Sequence, residues 1–277
     1  MIGIFDSGAG GMSVFREIVR LLPDESYIYY SDNAHCPYGE KSPQYIRERA
    51  KSITDTLLER GADIIVVACN TATAAAIAFL REAYPSVRFI GMEPAVKPAA
   101  LGTRSGVIGV LATAGTLQGS KYLDTKGKYE DDVTIVEHVG QGFVELVEHG
   151  ILDGPEAEAT VRASLQPLLD EGADTIVLGC THYPFLLPVM RRIAGPTVRI
   201  IDPAPSVARH LIYVMVQEHL LSEAEATRAL SKVIELAEAA DRGVTDAGIP
   251  ECPRIELISS GDPLPLQRIF GRIFHRP

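Results

Sequence analysis

The feature of this 277-residue sequence that most restricts its fold is an apolar segment that occurs twice and ends each time on a cysteine. Residues 61–69 read GADIIVVAC and residues 172–180 read GADTIVLGC, so six of nine positions are identical. A short, β-branched apolar run after a turn signal predicts a buried strand. Because open α/β sheets bind ligands at the carboxyl ends of parallel strands, we expect Cys69 and Cys180 to lie beside a ligand.

A second echo indicates that a larger unit is duplicated. The strand and glycine-rich loop at residues 1–11 return at 107–116, with Thr113 in the place of Ser7. The offset is 106 residues for this echo (7 to 113) and 111 for the cysteines (69 to 180). Similar offsets argue against a chance match between short apolar strings. Thiols at equivalent places in two halves predict one site with a thiol on each side.

The alternation of strand and helix patterns predicts the fold class. We expect an α/β protein with two pseudo-symmetric, doubly wound domains that face each other across an active-site cleft. The first domain would comprise residues 1–97 plus 208–277, because the C-terminal elements are too few for a separate domain, and the second would comprise 98–207. The predicted strands are 1–5, 27–30, 61–69, 87–92, 107–112, 134–137, 172–180, 198–201 and 255–259, and the predicted helices are 12–22, 43–60, 71–83, 156–171, 185–193, 207–221 and 223–240.

Composition argues against several classes of protein. The formal net charge is −10 and Lys and Arg form no run, so nucleic acid is not expected as a partner. The most apolar stretch, residues 64–80, is interrupted by Asn70 and two threonines and does not predict a membrane span. No signal-peptide pattern opens the chain, so we expect a cytoplasmic enzyme. The four cysteines are widely spaced, which disfavours a disulfide framework and structural zinc.

The loop DSGAGG at residues 6–11 predicts a ligand-binding turn. Glycines between a strand and a helix let backbone N–H groups approach a ligand. The spacing of a dinucleotide-binding loop is absent, and the carboxylate of Asp6 would repel phosphate. We therefore expect this loop to bind a small ligand.

Two opposed thiols suit proton transfer at a carbon atom. The α-proton of an amino acid is a very weak acid, and inversion requires a base on one face and an acid on the other. A free thiol has a pKa of ~8.5, which a helix N-terminus or nearby donors lower. Asp6 and His182 are the expected partners of Cys69 and Cys180, respectively. Such a reaction formally requires no cofactor and no metal.

Structural roles compete with these interpretations. A single cysteine at a strand end is usually a small buried hydrophobe, and Asp6 could also cap the following helix. His35 and Cys36 adjoin a turn, and Cys252 lies in a predicted loop, so we assign them no function. Glu148 falls in an acidic run, and its spacing alone predicts a solvated face.

Longer motifs make a family resemblance specific. The matching segments are IFDSGAGG at 4–11, PYGEKS at 37–42, ACNTATA at 68–74 and LGCTHYP at 178–184, with EPA at 93–95 and SGDP at 260–263. With these motifs in this order, the chain resembles glutamate racemases of the cofactor-independent Asp/Glu racemase superfamily. The resemblance covers essentially the whole chain.

The resemblance implies roles for individual residues. Cys69 and Cys180 would be the catalytic acid/bases, with Cys69 acting on the D-enantiomer and Cys180 on the L-enantiomer. Asp6 and His182 would assist them, and Asp32 and Glu148 would be secondary polar members of the site. The residues that would hold glutamate are Asp6, Ser7, Pro37, Tyr38, Gly39, Asn70, Thr71, Thr113, Thr116, Thr181 and His182.

The resemblance also implies a biological context. An enzyme of this kind uses no cofactor, supplies D-glutamate for peptidoglycan and is commonly a homodimer. Three alternatives remain open on sequence alone: a racemase for aspartate or another amino acid, a non-catalytic amino-acid-binding protein, and a thiol-redox or metal protein. One methylene separates glutamate from aspartate, a difference that sequence reasoning resolves poorly.

Overall fold

A computed structural model of the protein describes residues 1–241 and 254–274. Cys252 therefore lies outside the described residues. Within them, nine strands form two parallel sheets. No helix in these two ranges is long and apolar enough to cross a membrane.

The first sheet has five parallel strands in the order β4-β3-β1-β2-β9. These are β1 (Ile2–Asp6), β2 (Ser26–Ser31), β3 (Ile64–Val67), β4 (Arg88–Gly91) and β9 (Arg254–Ser259). The helices that connect the first four strands are α1 (Met12–Leu21), α2 (Pro43–Glu59) and α3 (Asn70–Ala83). Short 3-10 turns at Asn33–His35 and Tyr38–Glu40 lie between β2 and α2.

The second sheet has four parallel strands in the order β6-β5-β7-β8. These are β5 (Val107–Ala112), β6 (Thr134–Val139), β7 (Thr175–Gly179) and β8 (Arg199–Ile201). The remaining helices are α4 (Val96–Gly102), α5 (Ala114–Leu117), α6 (Ser120–Lys126), α7 (Phe143–His149), α8 (Pro155–Asp170), α9 (Leu187–Ala194), α10 (Ala204–Gln217), α11 (Glu223–Asp241) and α12 (Leu264–Phe274).

The two sheets repeat one topology, as the sequence echoes predict. Reversing the second order gives β8-β7-β5-β6, which matches β4-β3-β1-β2 strand for strand. The register agrees as well: Phe5 pairs with Val67, and their counterparts Leu111 and Leu178 pair with each other. The two-domain α/β fold class is thus confirmed. The domain boundaries stay a prediction, although β9 lies at the edge of the first sheet.

The central strands are apolar because helices cover both faces of each sheet. Every residue of β1, β3 and β7 is buried. Strands of parallel sheets that are covered on both sides are continuous apolar runs and do not alternate with polar residues. This burial fixes the carboxyl ends of β3 and β7, where the two cysteine segments end.

Several short helices were not predicted from sequence: α4, α5, α6, α7 and α12. Pro98 lies in the first turn of α4, where a missing N–H costs little. The helix predicted at 185–193 begins later in the structure. A 3-10 turn at Tyr183–Leu186 comes first, and α9 begins only at Leu187, because Pro184 and Pro188 each favour a new first turn.

Candidate active site

The first thiol lies where β3 meets α3. Cys69 itself is the N-cap of α3. Its Sγ accepts a hydrogen bond from the backbone N–H of Ala72 at 3.5 Å and lies 3.8 Å from the Ser7 hydroxyl. Burial and the nearby charge of Asp6 raise the pKa of the Cys69 thiol well above its ordinary value. The free protein therefore holds this group as a thiol at neutral pH.

The second thiol follows β7 and lies beside a histidine. Cys180 is the first residue after the strand, and its Sγ is 3.8 Å from Nδ1 of His182. No α-helix starts directly behind it, because the chain first forms the 3-10 turn that begins at Tyr183. The immediate partner of this thiol is therefore an imidazole, whereas Cys69 has a backbone N–H.

A carboxylate on α7 binds the other side of this imidazole. Nε2 of His182 lies 2.7 Å from Oε1 of Glu148, and the backbone N–H of Ala9 donates to the same oxygen at 2.7 Å. Burial lowers the pKa of His182, but its hydrogen bonds to Cys180, Cys36 and Glu148 outweigh burial and raise it well above the usual range. Burial raises the pKa of Glu148, but its bond to His182 lowers it overall. The two groups thus form a largely buried ion pair.

The position of Glu148 corrects the interpretation drawn from spacing. An acidic run predicted a solvated face, but the Glu148 side chain is only 15% exposed and faces the loop after β1. The family resemblance, in contrast, implied that Glu148 belongs to the site. Its contact with His182 agrees with that expectation.

Asp6 anchors the glycine-rich loop beneath Cys69. Its carboxylate is fully buried and accepts hydrogen bonds from the backbone N–H groups of Ser7 and Gly11, each at 2.7 Å. The Thr181 hydroxyl approaches the same carboxylate at 3.4 Å. Burial raises the pKa of Asp6. The carboxylate and the neighbouring thiol are therefore both harder to ionise than they would be in water.

Hydroxyl and amide groups line the space between the thiols. Thr113 is hydrogen-bonded to Thr71 and to Thr116, at 2.9 Å in each case, so these hydroxyls connect the two domains. Both polar atoms of the Asn70 side chain are buried and have no hydrogen-bond partner among the described residues. Because an unpaired buried amide is costly, this group is suited to a ligand.

One small cavity includes both thiols. Its lining consists of Ser7, Pro37, Tyr38, Gly39, Cys69, Asn70, Thr71, Thr113, Val144, Cys180, Thr181 and His182. Of the residues predicted to hold substrate, only Asp6 and Thr116 lie outside this lining, and each is hydrogen-bonded to a member of it. Val144 was missed by sequence reasoning, since an apolar residue on α7 carries no motif signal.

Asp32 supports the wall of the cavity from behind. It is fully buried, and Arg49 binds it through Nε and Nη2 at 2.9 and 2.7 Å. The Tyr38 hydroxyl donates to the same carboxylate at 2.5 Å. Burial raises the pKa of Asp32, but the bonds from Arg49 and Tyr38 lower it overall. Asp32 therefore orients Tyr38, and Arg49 is a supporting residue that sequence reasoning missed.

The turn before Pro37 brings a third cysteine to the site. The ligating atoms of Cys36, Glu148 and His182 all lie within 4.8 Å of one another. The sequence had assigned no function to Cys36, because its approach to His182 depends on the tertiary fold. The neighbouring His35 bonds instead to the Tyr45 hydroxyl at 2.5 Å.

A larger cleft lies elsewhere, between the end of α1 and the start of α11. The residues described along it include Arg20, Arg228 and Lys232 but no cysteine or histidine. It offers no group that both gives and takes a proton near neutral pH. The smaller cavity between the thiols is therefore the candidate active site.

Known proteins resemble this chain along most of its length. The Asp/Glu/Hydantoin racemase family model matches residues 2–211. The glutamate racemase of Stutzerimonas stutzeri (strain A1501) is 49% identical over 227 residues, which cover 82% of this chain and 86% of that protein.

Two crystal structures are similar in fold. Glutamate racemase isoform RacE1 from Bacillus anthracis superposes with a TM-score of 0.79 at 30% identity, covering 98% of this chain and 92% of that one. The glutamate racemase from Francisella tularensis subsp. tularensis SCHU S4, in complex with D-glutamate, gives 0.76 at 25% identity, covering 99% and 93%. On this sequence match and this shared fold, the chain belongs to the Asp/Glu/Hydantoin racemase family.

Proposed function

We propose that this protein is a glutamate racemase, which interconverts L- and D-glutamate by proton transfer between two thiols and the α-carbon. The observation that carries the proposal is that Cys69 and Cys180, from two duplicated halves, line the same small cavity. A ligand between them would present opposite faces of one carbon atom to the two sulfurs. A binding protein has no need for a thiol on each side.

Each direction of the reaction uses one thiolate and one thiol. With D-glutamate, the Cys69 thiolate removes the α-proton and the Cys180 thiol supplies a proton to the opposite face. L-glutamate reverses these roles. After one turnover in the D-to-L direction, Cys69 is protonated and Cys180 is a thiolate, so the free enzyme must restore the proton distribution. Asp6 beside Cys69 and His182 beside Cys180 are the groups that exchange these protons.

Substrate charge prepares the Cys69 thiolate. Burial and Asp6 raise the pKa of this thiol in the free protein. The ammonium group of glutamate would bring a positive charge near the sulfur and lower that pKa again. Removal of the α-proton would therefore begin only after substrate has bound. The Ala72 N–H at the start of α3 also stabilises the thiolate.

Glutamate is supported over aspartate by the relatives. The Stutzerimonas stutzeri protein and one from Roseiflexus sp. (strain RS-1), 51% identical over 220 residues, are both glutamate racemases. The unpaired Asn70 amide and the Thr71 and Thr113 hydroxyls would bind the substrate carboxylates, with help from backbone N–H groups. Production of D-glutamate for peptidoglycan is the role that the family implies. A cytoplasmic location and a homodimer stay predictions, and sedimentation analysis tests the dimer.

The decisive experiment follows D-glutamate in D₂O, with EDTA present and pyridoxal phosphate absent. Optical rotation reports racemisation, and NMR reports exchange of the α-proton. We expect rotation to decay to zero with the wild type, because enantiomers have equal free energy. Cys69→Ala and Cys180→Ala should each reduce the racemisation rate by at least ~100-fold, since each removes a positioned acid/base.

Cys252→Ala is the matched control, because it removes a thiol that none of the family motifs contains. It should racemise D-glutamate at the wild-type rate. If D-aspartate is racemised and D-glutamate is not, the two-thiol mechanism stands and only the assignment of glutamate as the substrate is wrong. Saturable binding of either amino acid without α-proton exchange would refute the enzyme proposal.

A further inference from the structure

The third cysteine of the site has no part in the two-thiol reaction. The Cys36 sulfur, a Glu148 oxygen and a His182 nitrogen lie within 4.8 Å of one another. We propose that these three side chains bind one thiophilic divalent cation, best matched by Zn²⁺, and that the bound cation inhibits the enzyme. Cation binding is independent of the proposed function, whereas inhibition rests on it.

The donor set selects the metal. A thiolate, an imidazole and a carboxylate are the three ligand types that zinc uses in proteins. The sulfur and the imidazole disfavour Mg²⁺ and Ca²⁺, which take oxygen ligands. Three protein ligands leave one tetrahedral position for water. The cluster therefore fits Zn²⁺, or Co²⁺ as its spectroscopic substitute.

The geometry requires only small side-chain movements. Zinc bonds of ~2.0–2.3 Å place tetrahedral ligand atoms roughly 3.3–3.8 Å apart. Nε2 of His182 and Oε1 of Glu148, now 2.7 Å apart, would separate, and the longer distances, all within 4.8 Å, would close, in each case by about an ångström. The backbone of Gly8 gives these side chains room. A Cβ at Gly8 would lie 2.2 Å from Oε1 of Glu148 and 3.1 Å from the Cys36 sulfur.

Neighbouring contacts already orient two of the ligands. Nδ1 of His182 faces the Cys180 sulfur at 3.8 Å, which leaves Nε2 directed toward the cluster. The Ala9 N–H holds Oε1 of Glu148 at 2.7 Å, so the second carboxylate oxygen can turn to a cation. Such outer contacts fix ring orientation and strengthen metal sites. Cys36 and Glu148 are partly exposed, which gives a cation a route from solvent.

Occupancy would disable the acid/base partner of Cys180. A cation on Nε2 prevents the ring from carrying a proton there, and it also takes Glu148 away from the ion pair. His182 could then no longer return a proton to Cys180 after a D-to-L turnover or remove one from it after an L-to-D turnover. Racemisation should fall in both directions, and removal of the cation by EDTA should restore it.

The test begins with cation binding to the purified, metal-free protein. Cobalt titration should produce a thiolate-to-cobalt charge-transfer absorption that saturates at one Co²⁺ per chain, and Zn²⁺ should abolish this absorption by competition. Cys36→Ser should weaken binding by at least ~10-fold, since losing even an outer contact of a metal site has that effect. Cys69→Ser and Cys180→Ser are matched controls that should keep the absorption.

A second measurement uses the wild-type protein, so its result does not depend on whether the variants fold. In the wild-type protein, Zn²⁺ should slow alkylation of Cys36, as measured by mass spectrometry. An absent charge-transfer band, or one that persists in Cys36→Ser, would overturn the site. Zinc bound at Cys36 with an unchanged racemisation rate would overturn the inhibition. If the protein binds zinc at Cys36 but racemises nothing, the proposed function fails and the cation site stands.

Discussion

At the scale of single residues, Asn70 is the side chain whose hydrogen-bonding groups are most clearly left unpaired. Folding normally pairs buried polar atoms, and leaving one unpaired costs ~1–3 kcal/mol. Both polar atoms of this amide are buried without a partner among the described residues, and the side chain lines the cavity between the thiols. The protein tolerates that cost at a place where a ligand would supply the missing hydrogen bonds.

Replacing Asn70 should therefore separate function from stability. We expect Asn70→Ala to lower kcat/KM for glutamate by at least ~10-fold, the equivalent of one hydrogen bond to a charged group. The melting temperature should stay within about 4 °C of the wild type, because no internal hydrogen bond is lost. Steady-state kinetics and thermal denaturation measure the two effects.

Thr54→Val is the matched control for Asn70→Ala. The Thr54 hydroxyl is also buried, with no hydrogen-bond partner in the part of the chain that the structure describes, but it lies on α2, away from the cavity lining. Its removal should leave kcat/KM unchanged and the protein at least as stable. A large loss of stability in Asn70→Ala with normal kinetics would show that the amide is structural.

The ion pair between Glu148 and His182 gives a pH-dependent prediction. The pKa of His182 is raised, so the stability it contributes is complete below the ordinary imidazole value and is lost as pH rises through the raised pKa. The pKa of Glu148 is lowered, so its contribution is present above its ordinary value and is lost as pH falls. The pair is therefore most stabilising at pH values between the ordinary pKa of a glutamate and the ordinary pKa of an imidazole.

Glu148→Gln should lower the pKa of His182, because the neutral amide no longer stabilises the imidazolium. NMR titration of the ring protons measures that pKa directly. Urea denaturation should show that Glu148→Gln loses the most stability relative to the wild type near pH 6. The loss should be smaller once the pH exceeds the raised pKa of His182. An unchanged His182 titration would contradict the pairing seen in the structure.

At the scale of elements, α2 holds the loop that carries Tyr38. Arg49 on this helix binds both oxygens of the buried Asp32, and Asp32 in turn accepts from the Tyr38 hydroxyl. Removing one member of a buried ion pair costs ~3–5 kcal/mol, because it leaves the other charge uncompensated. The packing of α2 therefore determines the position of a cavity wall.

Arg49→Met should lower the melting temperature by roughly 10 °C, given ~2–4 °C for each kcal/mol in a protein of this size. The lowered pKa of Asp32 stabilises the fold above the ordinary aspartate value, and that contribution is lost as pH falls. Without Arg49, acid unfolding should begin at a higher pH. Arg49→Lys keeps the positive charge but loses the planar guanidinium group. Its melting temperature should lie between those of the wild type and Arg49→Met.

At the scale of the whole molecule, the two domains meet at the glycine-rich loop after β1. Residues after β1 contact the second domain directly: Ala9 donates to Glu148, and the Ser13 hydroxyl donates to the Thr181 carbonyl at 2.9 Å. A Cβ at Gly10 would lie 2.2 Å from Nδ1 of His182. The closed arrangement therefore requires glycine at this position.

Gly10→Ala should hold the domains apart or displace His182. We expect kcat/KM to fall at least ~100-fold, the effect of misplacing a catalytic group by an ångström. Gly271→Ala is the matched control, because a Cβ added there meets no described atom within 4 Å other than its chain neighbours and the backbone of α12. It should be fully active and more stable by ~0.5–1 kcal/mol. Equal activity in both variants would contradict the close contact at Gly10.

The sequence by itself determined the duplicated α/β fold and the two ends of the site. Short, β-branched apolar runs at residues 61–69 and 172–180 are typical of covered parallel strands, and this places Cys69 and Cys180 at the carboxyl end of each strand. Local chemistry also accounts for the Ser222–Glu225 capping box, whose reciprocal hydrogen bonds are formed at the start of α11. These features depend on neighbours within a few residues.

Only the tertiary structure decided which distant residues meet at the thiols. Glu148 had the sequence pattern of a solvated face, Cys36 had that of a turn, and Arg49 and Val144 carried no signal. Glu148 meets Ala9 across the two domains, 139 positions apart, and Cys36 meets His182 in the same way. Val144 comes to the cavity from α7, whereas Arg49 meets Asp32 within the first domain, 17 positions apart. Local patterns report the burial and period of one segment, whereas these contacts depend on how separate segments pack.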